Sequence, residues 1–143
     1  MAKRVVILED DAGVQQLLRS AVETEGWLFD WGETFQEIRP LLARADVLIL
    51  DLNLPDVNGL DVLRHINKSG QRIEVIVVTG DASKRRSAQR LGVSAFLEKP
   101  FDMSELYVAL RDAARVVDLR SVGELPDPEL TNRRPRARKA APQ

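Results

Sequence analysis

Several apolar runs in this chain end in residues able to do chemistry. Val47-Leu48-Ile49-Leu50 stops at Asp51, and Val5-Val6-Ile7-Leu8 stops at Glu9-Asp10-Asp11. Glu74 to Thr79 ends in a hydroxyl followed by Gly80, and Ala95-Phe96-Leu97-Glu98 runs into Lys99-Pro100. If the first and third runs are neighbours, their acids converge. Carboxylates crowded together raise one another's pKa and destabilise the fold, so such a cluster calls for a cation. An all-oxygen site with room for water suits Mg2+. Thr79 and Lys99 would add a hydroxyl and an ammonium, donors suited to phosphoryl oxygens. A carboxylate is itself a competent nucleophile toward phosphorus, and phosphoryl transfer needs mostly alignment and charge neutralisation. The set makes chemical sense as a phosphoacceptor site on Asp51.

For these residues to meet, the runs must be parallel strands with their carboxyl ends on one edge. An uninterrupted Val/Leu/Ile run bounded by Pro55, Asn58 and Gly59 reads as a strand buried on both faces, the habit of parallel sheets covered by helices. Ligands of open α/β sheets bind outside the carboxyl ends of the strands. Between the runs lie helical stripes: Val14, Leu17, Leu18, Ala21 and Val22; Phe35, Ile38, Leu42 and Ala45; Leu60, Leu63 and Ile66; and Leu106, Leu110, Ala113 and Val117. Gly26, Gly70 and Gly92 close the first, third and fourth helices. Trp27, Phe29 and Trp31 alternate as a half-buried second strand and are read as core under a helix. The segment from Asp81 to Leu91, with Lys84, Arg85, Arg86 and Arg90, has few apolar anchors and predicts only a short helix. Five strands alternating with five helices give a doubly wound parallel sheet.

A chain of 143 residues is about one domain long and can bury a full core. The absence of cysteine excludes disulfides and thiolate metal sites. The N-terminal run turns acidic too soon for a signal peptide or membrane span, and a cytoplasmic location is expected. Charge divides unevenly: up to Arg120 there are 16 basic and 19 acidic residues, and from Ser121 onward 5 and 3. Four of the seven prolines fall in that last stretch with Arg133, Arg134, Arg136, Arg138 and Lys139. The expectation is one domain over residues 1–120 and a loose Pro/Arg-rich tail or linker over 121–143.

No G-x-G-x-x-G or G-x-x-x-x-G-K-[ST] follows the first strand, which argues against a bare nucleotide site. Glu9-Asp10, Asp51 within L-D-L-x-L-P-D-x-x-G, Val78-Thr79-Gly80 and Phe96-Leu97-Glu98-Lys99-Pro100-Phe101 together resemble the receiver domain of bacterial two-component response regulators, the CheY-like family, over residues 3 to 119. That resemblance implies a flavodoxin-like sheet of strand order 2-1-3-4-5. It also implies that Asp51 takes a phosphoryl group from a sensor histidine kinase or a histidine phosphotransfer protein. Glu9, Asp10, Asp51 and the backbone carbonyl of Asn53 would hold Mg2+, with Mn2+ as a substitute. Lys99 would contact the phosphoryl group, Thr79 would move toward it, and Phe96 would swing inward as the switch aromatic. The Lys99-Pro100 bond would be cis.

The output would be a surface change felt by a downstream protein or a second copy of the chain, with no effector domain after the tail; neither nucleic acid nor membrane is an expected partner. The chain would be no enzyme beyond assisting its own phosphoryl transfer and autodephosphorylation. The interval from Thr79 to Lys99 is shorter than the family usually has, which predicts a truncated or reoriented fourth helix. Asn53 and Asp81 stand at the two variable positions flanking the site and are expected to set phosphoryl lifetime.

Plainer readings exist for each residue. Asp11 is expected to cap the first helix, and His65, the only histidine, to be solvated. Three rival readings are an aspartyl-nucleophile phosphohydrolase, a receiver-like binding module that is never phosphorylated, and a fragment or relative of a regulator whose effector domain has been lost, with residues 121–143 as its linker. The first wants a second acid two residues after the nucleophile, where this chain has Asn53. The second has no need to tolerate the repulsion of the acids.

Overall fold

The computed structural model describes residues 2–123. Five strands, β1 (Arg4–Leu8), β2 (Leu28–Gly32), β3 (Val47–Leu50), β4 (Glu74–Thr79) and β5 (Ala95–Glu98), form one parallel sheet in the order β2-β1-β3-β4-β5. Five helices connect and cover them: α1 (Ala12–Thr24), α2 (Phe35–Ile38), α3 (Gly59–Ser69), α4 (Arg85–Arg90) and α5 (Met103–Ser121). This is the expected flavodoxin-like arrangement. No helix among the described residues is long and apolar enough to cross a membrane.

Because side chains alternate across a strand, an unbroken apolar run must feed two cores. Val6, Leu8, Leu48, Leu50, Val75 and Val77 face one, with Ile38, Val62, Leu63 and Ile66 from the helices. Val5, Ile7, Val47, Ile49, Ile76 and Val78 face the other, beneath Leu18, Ala21, Val22, Leu106 and Leu110. All four residues of β3 are fully buried, which fixes this strand as the rigid centre of the sheet.

The helix ends follow local chemistry. Asp11 caps α1, accepting from the Val14 amide at 3.0 Å, as expected. Asn58 caps α3 through Leu60 N at 2.9 Å, and Gly70 ends it at φ +75°. At the start of α5 the Asp102 amide donates to Glu105 Oε1 at 2.9 Å, the back-bond of a capping box.

Four expectations need correction. The stripe from Phe35 to Ala45 is not one α-helix: α2 makes a single turn after Thr34, and Pro40 leads the chain into a 3-10 helix over Arg39–Arg44. Proline can begin a helical turn but cannot donate within one. In α1, Leu17 is exposed, whereas Gln15 is buried because its amide donates to Glu9 O at 2.8 Å. Trp31 is exposed on the edge strand, under the Arg19 guanidinium at 4.8 Å, while Trp27 and Phe29 do pack on the core. His65 is not simply solvated. It is half-buried, edge-on to Phe35 at 5.5 Å, and burial, helped by the Arg39 charge, lowers its pKa. Helix α5 continues one residue past Arg120, and residues 124–143 of the expected tail lie outside the described residues.

Gly59 closes the loop that carries Asp51. Its amide donates to Leu52 O at 2.8 Å, and a Cβ at this position would lie 2.4 Å from Leu52 Cα. Backbone cannot yield as a side chain can, so Gly59→Ala should destabilise the fold by about 2–3 kcal/mol, read from urea unfolding. A loss below about 0.5 kcal/mol, the scatter of surface substitutions, would contradict this packing.

Candidate functional site

The carboxyl edge of the sheet gathers the predicted residues because the parallel ladder continues one step beyond the strands. Glu9 N donates to Gly32 O at 3.1 Å, Asp51 N to Leu8 O at 3.0 Å and Lys99 N to Thr79 O at 2.8 Å. Glu9, Asp51 and Lys99 are thereby placed by backbone bonds to the neighbouring strand.

Lys99 lies between two carboxylates. Its Nζ is 3.0 Å from Glu9 Oε1, 3.2 Å from Glu9 Oε2 and 3.2 Å from Asp51 Oδ2. Glu9 is fully buried, Asp51 is 5% exposed and Thr79 is fully buried. Asp10 sits at the exposed rim, yet one oxygen from each of Glu9, Asp10 and Asp51 lies within 4.8 Å of the others. The remaining acceptor capacity is partly used locally: Glu9 Oε2 accepts from Asp11 N at 3.1 Å and Asp51 Oδ1 from Asn53 N at 3.0 Å. Thr79 Oγ1 accepts from Asp81 N at 3.3 Å.

The electrostatics follow from this enclosure. Burial pushes the Glu9 carboxyl up to about 7, and the Asp51 charge adds to the rise; the Asp11 amide and Lys99 pull it down without overcoming burial. For Lys99, burial alone would lower the pKa, but hydrogen bonds and charges from Glu9 and Asp51 outweigh it and hold the ammonium above its ordinary value. Glu9 Oε1 is buried and receives no well-directed hydrogen bond among the described residues, although the ammonium is near. An under-satisfied buried carboxylate oxygen beside two further acids is a donor set for a hard divalent cation. Asn53, whose carbonyl completes the predicted ligand set, follows Asp51 by two residues on the same loop.

Phe96 is half-buried against the core below α3 and α4, and the Arg85 guanidinium stacks on its ring at 4.6 Å. The Lys99-Pro100 peptide is cis, as the resemblance implied. The fourth helix is short, a 3-10 turn over Ala82–Lys84 leading into the six residues of α4. One neighbour of the site had no prominence in the sequence. Lys84 Nζ reaches Asn53 Oδ1 at 2.9 Å and stands 3.9 Å from Asp81 Oδ2. Its three-residue spacing from Asp81 was readable as a helical ion pair, but its meeting with Asn53 depends on how two loops fold.

Comparison with known proteins gives the same family from several directions. The response regulator receiver domain family matches residues 5–111. The response regulator MprA of Mycolicibacterium vanbaalenii is 29% identical over 119 residues, covering 80% of this chain and 52% of that protein. The KDP operon transcriptional regulatory protein KdpE of Escherichia coli is 32% identical over 127 residues, covering 87% and 55%. The chain thus spans about half the length of these curated relatives. Among solved structures, the signal receiver domain assigned to a LuxO repressor protein of Vibrio parahaemolyticus aligns with a TM-score of 0.79 at 28% identity, covering 88% of this chain and 100% of that one. The non-phosphorylated HemR receiver domain of Leptospira biflexa aligns with a TM-score of 0.70 at 30% identity, covering 78% and 93%.

Glu9 makes the metal-free fold sensitive to pH in a direction that follows from its shift. Its pKa is raised from 4.5 to about 7 on folding, so between those values the folded state holds a proton that the unfolded chain has lost. Stability must therefore fall as pH rises through this window and level off above it. Without added metal, wild type should lose up to about 3 kcal/mol relative to Glu9→Gln between pH 4.5 and 7.5, measured by urea denaturation. Parallel stability profiles for the two proteins would contradict the buried-acid reading.

Proposed function

Because the chain belongs to the response regulator receiver domain family, we propose that it is a phosphorylation-dependent signalling switch whose phosphoacceptor is Asp51. The observation that carries this reading is the Lys99 ammonium lying 3.0–3.2 Å from both Glu9 and Asp51 at the carboxyl edge of the sheet. Receiver domains are signalling switches rather than enzymes acting on outside substrates, and here the protein acts on itself.

The donor is a phosphohistidine on a sensor histidine kinase or histidine phosphotransfer protein. An Asp51 carboxylate oxygen attacks phosphorus, the phosphorus–nitrogen bond breaks, and its electron pair returns to the donor imidazole. Glu9, Asp10, Asp51 and the Asn53 carbonyl would hold Mg2+, with Mn2+ able to substitute; a bound ion would supply positive charge to offset the acid cluster and the phosphoryl group. Lys99 gives up part of its bonding to Asp51 and donates to a phosphoryl oxygen. The Thr79 hydroxyl, engaged by the Asp81 amide in this state, turns toward the new group. Phe96 follows inward and leaves the Arg85 guanidinium, so the face around α4 and β5 changes.

Phosphorylation biases a two-state equilibrium by adding charge that only one state can satisfy. The altered face is recognised by a downstream protein or by a second copy of the chain. Hydrolysis of the acyl phosphate by the protein itself resets the switch.

Incubation with acetyl phosphate and Mg2+, followed by intact-mass measurement, tests the reading. Wild type should gain one phosphoryl group and Asp51→Asn none. A protein that gains no mass from acetyl phosphate or from a phosphohistidine donor would overturn the proposal in favour of a phosphorylation-independent binding module. Steady turnover of an external phosphoester would point to a phosphohydrolase.

A further inference from the structure

Asp51 and Thr79 each use a side-chain oxygen to hold the amide two residues on, Asn53 N at 3.0 Å and Asp81 N at 3.3 Å. The side chains of those same two residues meet one ammonium: Lys84 Nζ is 2.9 Å from Asn53 Oδ1 and 3.9 Å from Asp81 Oδ2. A lysine thus joins the loop after β3 to the loop after β4, two residues on from the phosphoacceptor on one side and from the hydroxyl on the other. Although Lys84 stands in a polar, basic segment, only 23% of its side chain is exposed. Asp81 is also held by Ser83, whose amide and hydroxyl both donate to Oδ1. The strap therefore has a fixed anchor on the β4 side.

We propose that Lys84 is a positioning residue that prolongs the phosphorylated state of Asp51 by engaging the acceptor oxygens of Asn53 and Asp81 across the mouth of the site. This rests on the proposed role of Asp51. Loss of the phosphoryl group requires water to attack phosphorus from the side opposite the Asp51 oxygen. A new bond forms between water oxygen and phosphorus, and the Asp51 oxygen–phosphorus bond breaks. The bonding pair restores the carboxylate, and the protons of the water leave on dihydrogen phosphate. Such a water is oriented by an acceptor beside the phosphoryl group. Asn53 Oδ1 and Asp81 Oδ2 are side-chain acceptors that flank the site; the ammonium donates to the first at 2.9 Å and pairs by charge with the second at 3.9 Å, which leaves both poorly able to accept from water.

Wild type and variants are phosphorylated with acetyl phosphate and Mg2+, the donor is removed by desalting, and the phosphorylated fraction is followed by intact mass. Lys84→Ala should shorten the half-life about tenfold, below the range of full general-base assistance. Lys84→Met, equal in length but without a donor, should shorten it likewise, and Lys84→Arg should keep it near wild type. Melting temperature separates these effects from loss of fold. With Asn53 and Asp81 both replaced by Ala, removing the Lys84 amine should change the half-life by less than about twofold, because its partners are gone. An unchanged or longer half-life in both Lys84→Ala and Lys84→Met overturns the proposal, and so does equal shortening in the Asn53/Asp81 background. If wild type itself takes up no phosphoryl group, the role of Asp51 falls, and the role of Lys84 with it; normal uptake with unaltered decay removes only the latter.

Discussion

The structure turns on one constraint: two carboxylates, Glu9 and Asp51, are buried side by side, with a single ammonium between them. Removing charge from water is expensive, and a buried ion pair repays it only with good geometry and further hydrogen bonds. Lys99 supplies the geometry, and the amides of Asp11 and Asn53 supply bonds. The balance remains incomplete, since burial holds the Glu9 carboxyl up at about 7 and leaves Oε1 without a well-directed donor. A site with unmet demand for positive charge is one that a cation can enter.

The fold makes this tension tolerable. Each acid follows a strand whose apolar side chains are locked in a core, and its own amide continues the ladder to the next strand. Asp51 and Glu9 cannot relax apart without breaking those bonds. Softer parts surround this rigid edge. Phe96 is only half-buried, α4 has six residues, and the cations that begin it touch the site's rim and the Phe96 ring rather than a deep core. A rigid acid cluster beside a lightly anchored helix is a suitable layout for a switch, because local charge can be translated into movement only where few buried contacts resist.

Much of this was readable before any coordinates. Val/Leu/Ile runs ending in Glu9, Asp51, Thr79 and Lys99 are signals of buried parallel strands, and the period of each run fixes where its last residue emerges. The strands follow from the runs, whereas their order, and with it the meeting of Glu9, Asp10, Asp51 and Lys99, was implied by the family resemblance. Failures arose where local pattern competed with something long-range. Phe35 to Ala45 keeps helical spacing, but Pro40 shifts the backbone to a 3-10 form. Trp31 alternates correctly with its neighbours, yet β2 is an edge strand and Arg19 rather than a helix core covers its ring. Gln15 replaces Leu17 as an inward residue because the Glu9 carbonyl needs a donor, a demand invisible in a hydrophobic pattern. Lys84 meets Asn53 across 31 positions, through loop conformations that no periodicity encodes.

The most direct test of the central claim is a Mg2+ titration followed by the thermal melting of wild type, Glu9→Gln and Asp51→Asn. A cation that binds the folded acid cluster and not the unfolded chain stabilises by mass action. The melting temperature of wild type should therefore climb steadily with metal through the millimolar range, and climb less in either variant. A wild-type melting temperature indifferent to millimolar Mg2+, or one that rises equally in all three proteins, would contradict the account.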